Sequence, residues 1–124
     1  MKRILVVDDE PTILLAIGKL LGTENTLVVT SARIEEAEEA LGRYKFDLVI
    51  ADIRLSGIEG VEGLELLSYV KAISPETQVI IMTAYGSDEM KSSAYDRGAY
   101  YYFEKPIGMD ELLKVVEGLD IPVR

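Results

Sequence analysis

A doubly wound parallel α/β sheet is the fold this sequence predicts, on three observations. Strand-like and helix-like stretches alternate five times, with short connections. Leu48-Val49-Ile50-Ala51 is apolar without interruption, as a strand buried on both faces of a parallel sheet must be. Acids, a threonine and a lysine stand where the strands end, the edge at which open α/β sheets bind ligands. One domain is expected over residues 1–119, with 120–124 as a C-terminal tail, frayed or the start of a linker.

Arg3 to Val7 forms the first strand and runs into Asp8-Asp9-Glu10. Pro11 suits the first turn of a helix, where its missing N–H costs nothing. Ile13, Leu14, Ile17, Leu20 and Leu21 then recur at helical spacing through about Gly22. Thr26 to Thr30 is the second strand. Glu35 to Arg43 is the second helix, with Ala37, Ala40 and Leu41 facing inward. The third strand starts at Leu48 and ends at Asp52. Ser56 to Gly63 is a loop whose glycines at 57, 60 and 63 lower the cost of many conformations, so it is expected to be mobile and to modulate access to Asp52. Leu64, Leu67, Val70 and Ile73 mark the third helix, which stops before Ser74-Pro75. Gln78 to Met82 is the fourth strand, ending at Thr83. A polar helix runs from about Ser87 to Arg97, weakened by Ser87, Asp88, Ser92 and Ser93 and closed by Gly98. Tyr100 to Phe103 is the fifth strand, followed by Lys105-Pro106. Asp110 to Glu117 is the last helix.

At 124 residues the chain is the size of one ordinary domain, and 48% hydrophobic content supplies one core. Its net charge of -9 repels nucleic-acid phosphates and anionic lipid, so direct nucleic-acid or membrane binding is not expected. No apolar run approaches the roughly 20 residues of a membrane span. The apolar run after Arg3 is too short for a signal peptide, which points to a cytoplasmic setting. Cysteine and histidine are both absent. That excludes disulfides, zinc sites, Ser-His-Asp triads, Cys nucleophiles and phosphohistidine on this chain. Carboxylates, hydroxyls and lysine remain, and the cation they suit is a hard one such as Mg²⁺.

If the first strand is central and flanked by the third, Asp8, Asp9 and Asp52 converge on one cleft, with Thr83 and Lys105 arriving from neighbouring strands. Singly, each has a bland reading: Asp8-Asp9 as a helix cap, Asp52 as a turn acid, Lys105-Pro106 as an ordinary loop. Together they make a chemical set. Clustered carboxylates repel, and a divalent cation relieves the conflict. A carboxylate can attack a phosphoryl group, and the anionic transition state then needs a cation and a hydrogen-bond donor.

On Val6-Val7-Asp8-Asp9-Glu10, Asp52-Ile53-Arg54-Leu55, Met82-Thr83-Ala84-Tyr85-Gly86, and Gly98-Ala99 through Tyr102 to Glu104-Lys105-Pro106, nearly the whole chain resembles a response-regulator receiver domain of two-component signalling. The Thr-Ala-Tyr-Gly and Glu-Lys-Pro stretches are most similar to the nitrogen-regulation type. The resemblance implies a flavodoxin-like strand order 2-1-3-4-5 with five helices. It implies Asp52 as phosphoacceptor, with Lys105 pairing with the phosphoryl group and Thr83 hydrogen-bonding it. It implies Mg²⁺ held by Asp9, Asp52 and the Arg54 backbone carbonyl, with Asp8 acting largely through water. It implies a cis peptide before Pro106 and an aromatic switch at Tyr102 coupled to Thr83. The donor would be a phosphohistidine of a sensor histidine kinase. Partners would be an effector domain, a downstream protein or a second copy of the chain, met on the face of the fourth helix, fifth strand and fifth helix. Such a domain is a signalling module rather than an enzyme, with at most slow self-phosphorylation and autodephosphorylation.

Two departures stand out. Ser56 replaces the family's usual proline, in a loop about three residues longer than usual. Tyr101 holds a place often taken by an acid, either as a contact for a partner or as an ordinary edge-strand residue. An aspartyl-nucleophile phosphohydrolase of haloacid-dehalogenase type is the competing enzyme reading, but it needs an Asp-x-Asp pattern on the first strand. A flavodoxin-like mononucleotide binder needs a hydroxyl- and glycine-rich loop where Asp8-Asp9-Glu10 stands.

Overall fold

Every apolar run found in the sequence pairs with a parallel neighbour. The computed structural model describes residues 1–53, 62–84 and 86–123. Five strands, β1 (Lys2–Val7), β2 (Thr26–Ser31), β3 (Leu48–Asp52), β4 (Gln78–Thr83) and β5 (Tyr101–Glu104), alternate with five helices, α1 (Pro11–Leu21), α2 (Ile34–Arg43), α3 (Glu62–Ile73), α4 (Asp88–Asp96) and α5 (Met109–Glu117). The sheet order is β2-β1-β3-β4-β5 and all four pairings are parallel. This is the doubly wound order expected from the sequence.

The two-residue period of the strands sorts the core into two layers. Leu5, Val7, Val49, Ala51, Val79 and Ile81 face α2, α3 and α4, where they meet Ala37, Leu64, Leu67, Val70 and Ala94. Ile4, Val6, Leu48, Ile50, Ile80 and Met82 face α1 and α5, against Ile17, Leu21, Leu112 and Val116. Each Val, Leu, Ile or Met among them contributes about 1.5–3 kcal/mol by leaving water. Central strands buried on both faces cannot slip register, because a one-residue shift would exchange the two layers. Strand ends are therefore fixed relative to one another: Val7 lies beside Ala51, Asp52 beside Met82 and Thr83 beside Glu104.

Ile73 closes α3, as its spacing predicts, but is 49% exposed, while Leu66 is buried. Two sequence expectations change. Residues 120–123 are not frayed: Ile121 is 3% exposed in the α1–α5 layer, and the Pro122 carbonyl accepts a hydrogen bond from Thr26 Oγ1 at 3.3 Å. Gly63 belongs to the first turn of α3 rather than to a loop, and a side chain there would strike the backbone of Asp52 and Ile53. The rest of the expected mobile loop, through Val61, lies outside the described residues, as does Arg54. The C-terminal end of α4 is tied to α3, since Arg97 donates to the Leu64 carbonyl at 3.1 Å and to Ser68 Oγ at 3.3 Å.

Candidate functional site

The site forms where β1, β3, β4 and β5 run out of the sheet. Asp8 follows β1 directly, and its N–H continues the ladder by donating to the Ser31 carbonyl at 3.1 Å. Its carboxylate turns back to accept the Glu10 N–H at 2.8 Å, an Asx-type turn that launches α1. Asp8 is fully buried and Asp9 is exposed. Asp52 closes β3 at 5% exposure, and Thr83 closes β4 fully buried. The Thr83 carbonyl accepts the Lys105 N–H at 2.8 Å, which fixes the backbone just beyond β5. The Lys105–Pro106 peptide is cis.

Lys105 joins these strand ends. Its Nζ donates to Asp8 Oδ2 at 2.8 Å, to Asp52 Oδ2 at 3.0 Å and to Glu10 Oε1 at 3.3 Å. Burial by itself would pull the lysine pKa down. The hydrogen bonds and charges of Asp8 and Asp52 more than reverse this and hold it above the ordinary lysine range. Lys105 is therefore a fixed cation and not a base.

One carboxylate oxygen from each of Asp8, Asp9 and Glu10 lies within 4.8 Å of the other two, and Lys105 brings Asp52 to the same place. Three carboxylates, those of Asp8, Glu10 and Asp52, thus contact one ammonium, and Asp9 stands beside them. An oxygen-only, acid-rich donor set suits a hard divalent cation, and nitrogen- or sulfur-preferring metals find nothing here.

Tyr102 sits behind Thr83. The ring is buried, and its hydroxyl makes no well-formed hydrogen bond among the described residues, although the Ser87 backbone lies near enough to act on it. Burial raises the phenol pKa, the Glu104 charge adds to this, the Ser87 backbone partly offsets it and Asp88 adds a further push. A side chain on Gly86 would collide with the Tyr102 hydroxyl and press on the Thr83 methyl. The inward ring thus occupies the space that a side chain at position 86 would take. Tyr101, by contrast, is 39% exposed and lies against Phe103 at 4.7 Å between ring centroids.

Asp8, Asp52 and Lys105 are thus in direct contact, and Asp9 stands at the rim beside them. Thr83 and Tyr102 both border the space at Gly86. Sequence reasoning missed the side chain of Glu10 as a third partner of Lys105, and Gly86 as the space Tyr102 fills. The signal for Glu10 was present, since an acid at the cap of α1 follows Asp8 and Asp9 directly.

The model of the response regulator receiver domain matches residues 4–117. Transcriptional regulatory protein GlrR of Escherichia coli K12 is 33% identical over 115 residues, 93% of this chain and 25% of that protein. Sporulation initiation phosphotransferase F of Bacillus subtilis 168 is 32% identical over 94% of this chain and 91% of its own length. Among solved structures, the beryllofluoride-activated NtrC4 receiver domain dimer superposes with a TM-score of 0.85 at 30% identity, covering 96% of both chains. This chain spans about a quarter of the length of the first curated relatives it matches.

Proposed function

This chain belongs to the response-regulator receiver family, and from that premise we propose that Asp52 accepts a phosphoryl group from a phosphohistidine of a sensor histidine kinase, with Mg²⁺ bound. The observation that carries the reading is the Lys105 ammonium hydrogen-bonded to both Asp8 and Asp52 at the carboxyl edge of the sheet. Asp52 supplies the nucleophilic oxygen. Its O–P bond forms as the donor's N–P bond breaks, and the imidazole keeps the electron pair. Lys105 is placed to receive a phosphoryl oxygen, and the Thr83 hydroxyl at the next strand end is the neutral donor that completes the cradle. Asp8, Asp9 and Asp52, with the Arg54 carbonyl, are the groups that would hold Mg²⁺, which when bound neutralises charge on the phosphoryl oxygens. Self-phosphorylation from small acyl phosphates and loss of the phosphoryl group to water would both be slow.

Output would leave through α4, β5 and α5. Thr83 and Tyr102 both border Gly86 just before α4, so a shift of the Thr83 side chain toward a phosphoryl group would change the space open to the Tyr102 ring. The NtrC4 receiver is a dimer in its beryllofluoride-activated form, and self-association of this chain on the same face is the parallel expectation. An effector domain or separate downstream protein in a cytoplasmic setting is the further partner. Among the described residues, no helix is long and apolar enough to cross a membrane. The test is intact-mass spectrometry after incubation with a small acyl phosphate and Mg²⁺. One phosphoryl group should be added to wild type and none to Asp52→Asn, and equal labelling of the variant would refute the reading. Thr83→Ala should still be labelled but should self-associate less than wild type in response.

A further inference from the structure

Lys105 carries three N–H donors, and three carboxylates already stand at hydrogen-bond distance from them. A phosphoryl oxygen arriving at Asp52 needs one of those donors, so one partner has to yield. Asp8 has the shortest bond at 2.8 Å and no exposure, and a buried carboxylate left unpaired is costly. Asp52 carries the incoming group. Glu10 has the longest bond, 3.3 Å, and its side chain is 55% exposed, so it returns to water at little cost.

We infer that Glu10 is a positioning residue: it holds Lys105 in the resting site, is displaced from it by the phosphoryl group, and so sets the affinity of the site for anionic phosphodonors. The inference rests on the assignment of Asp52 as acceptor. Two effects act in the same direction. Glu10 competes with the phosphoryl oxygen for one Nζ donor, and its negative charge opposes a dianion bound to the same ammonium. The backbone of Glu10 caps α1 through its carbonyl, which accepts the Ile13 and Leu14 N–H groups at 3.1 and 3.2 Å. Changing only the side-chain charge leaves that cap in place.

The test is Glu10→Gln against wild type, with Glu24→Gln as a control for net charge on an exposed residue remote from the site. Labelling by a small acyl phosphate is followed at saturating Mg²⁺ to separate KM from kcat. Beryllofluoride affinity is titrated in parallel, and Mg²⁺ affinity is measured by calorimetry without donor. An exposed charge pair is worth about a three-fold change in binding. At saturating Mg²⁺, Glu10→Gln should therefore lower KM and the apparent beryllofluoride Kd by about that factor, with kcat little changed, and Glu24→Gln should match wild type. Normal labelling of wild type with the same KM in Glu10→Gln would overturn the inference. So would a KM change that follows a weakened Mg²⁺ affinity, which would make Glu10 a metal-site residue instead. If wild type itself is not labelled, the acceptor assignment fails and the inference with it.

Discussion

Lys105→Met takes away the ammonium that holds two nearly buried carboxylates together while keeping the length and apolar stem of the side chain. Asp8 and Asp52 have side-chain exposures of 0% and 8%, and their bonds to Lys105 are 2.8 and 3.0 Å. Removing one partner from a buried ion pair typically costs about 3–5 kcal/mol. The site opens toward exposed Glu10, so water relieves part of this, and a loss of about 2–3 kcal/mol is the expected value without metal. For a domain of this size that corresponds to a melting temperature about 10 °C lower. Millimolar Mg²⁺ should recover part of the loss, because the same carboxylates then have a cation again. The pH dependence has a defined sign. The folded pKa of Lys105 is raised above its unfolded value of 10.5, so the stabilisation is fully present below that pH and is lost only as pH rises through the higher folded value. The gap between variant and wild type should thus stay constant through the neutral range and narrow only in strong alkali. Thermal melts with and without Mg²⁺ at several pH values measure all of this. A variant that melts within about 2 °C of wild type in chelator would refute the reasoning, because the two acids would then need no cation.

Asp9→Ala should weaken Mg²⁺ binding several-fold by calorimetry, yet change apo stability by less than about 0.5 kcal/mol, because Asp9 is exposed; a large apo loss would mean that it chiefly supports α1. Gly86→Ala should drive the Tyr102 ring from its buried position at a cost of about 1–3 kcal/mol, read as increased quencher access to tyrosine fluorescence and a lower melt. Unchanged tyrosine access would show that the ring does not need the space. Ile121→Ala should destabilise by about 2–4 kcal/mol in chemical denaturation, whereas an unaffected midpoint would return residues 120–123 to the status of a loose tail.

Much of this architecture was legible because local and global signals agree. The buried strands announce themselves by continuous apolar runs, and Asp8, Asp52, Thr83 and Lys105 stand at their ends in the sequence itself. The strand order that the family resemblance implies makes neighbours of those ends, and the cleft follows from it. What escaped depends on packing that periodicity does not encode. Ile73 fits the helical spacing of Leu64, Leu67 and Val70, yet it lies in the last turn of α3 and is half exposed. Ile121 follows a helix stop and precedes Pro122, so its pattern reads as a tail; its burial comes from the α1–α5 core layer, with Pro122 held to Thr26 beside it. Gly63 reads as a loop glycine, whereas its reason is the close approach of α3 to the β3 backbone. The inward Tyr102 ring, and its dependence on Gly86, joins positions sixteen residues apart on different elements.

The most direct measurement is the location of the acyl phosphate. Borohydride reduces an aspartyl-phosphate to homoserine, and peptide mass spectrometry then identifies the residue that was modified. After incubation with a small acyl phosphate and Mg²⁺, homoserine should appear at position 52 and nowhere else, and it should be absent when Mg²⁺ is chelated. Homoserine at Asp8 or Asp9, or phosphoryl label that survives in Asp52→Asn, would contradict the assignment of the carboxylate at the end of β3 as the acceptor.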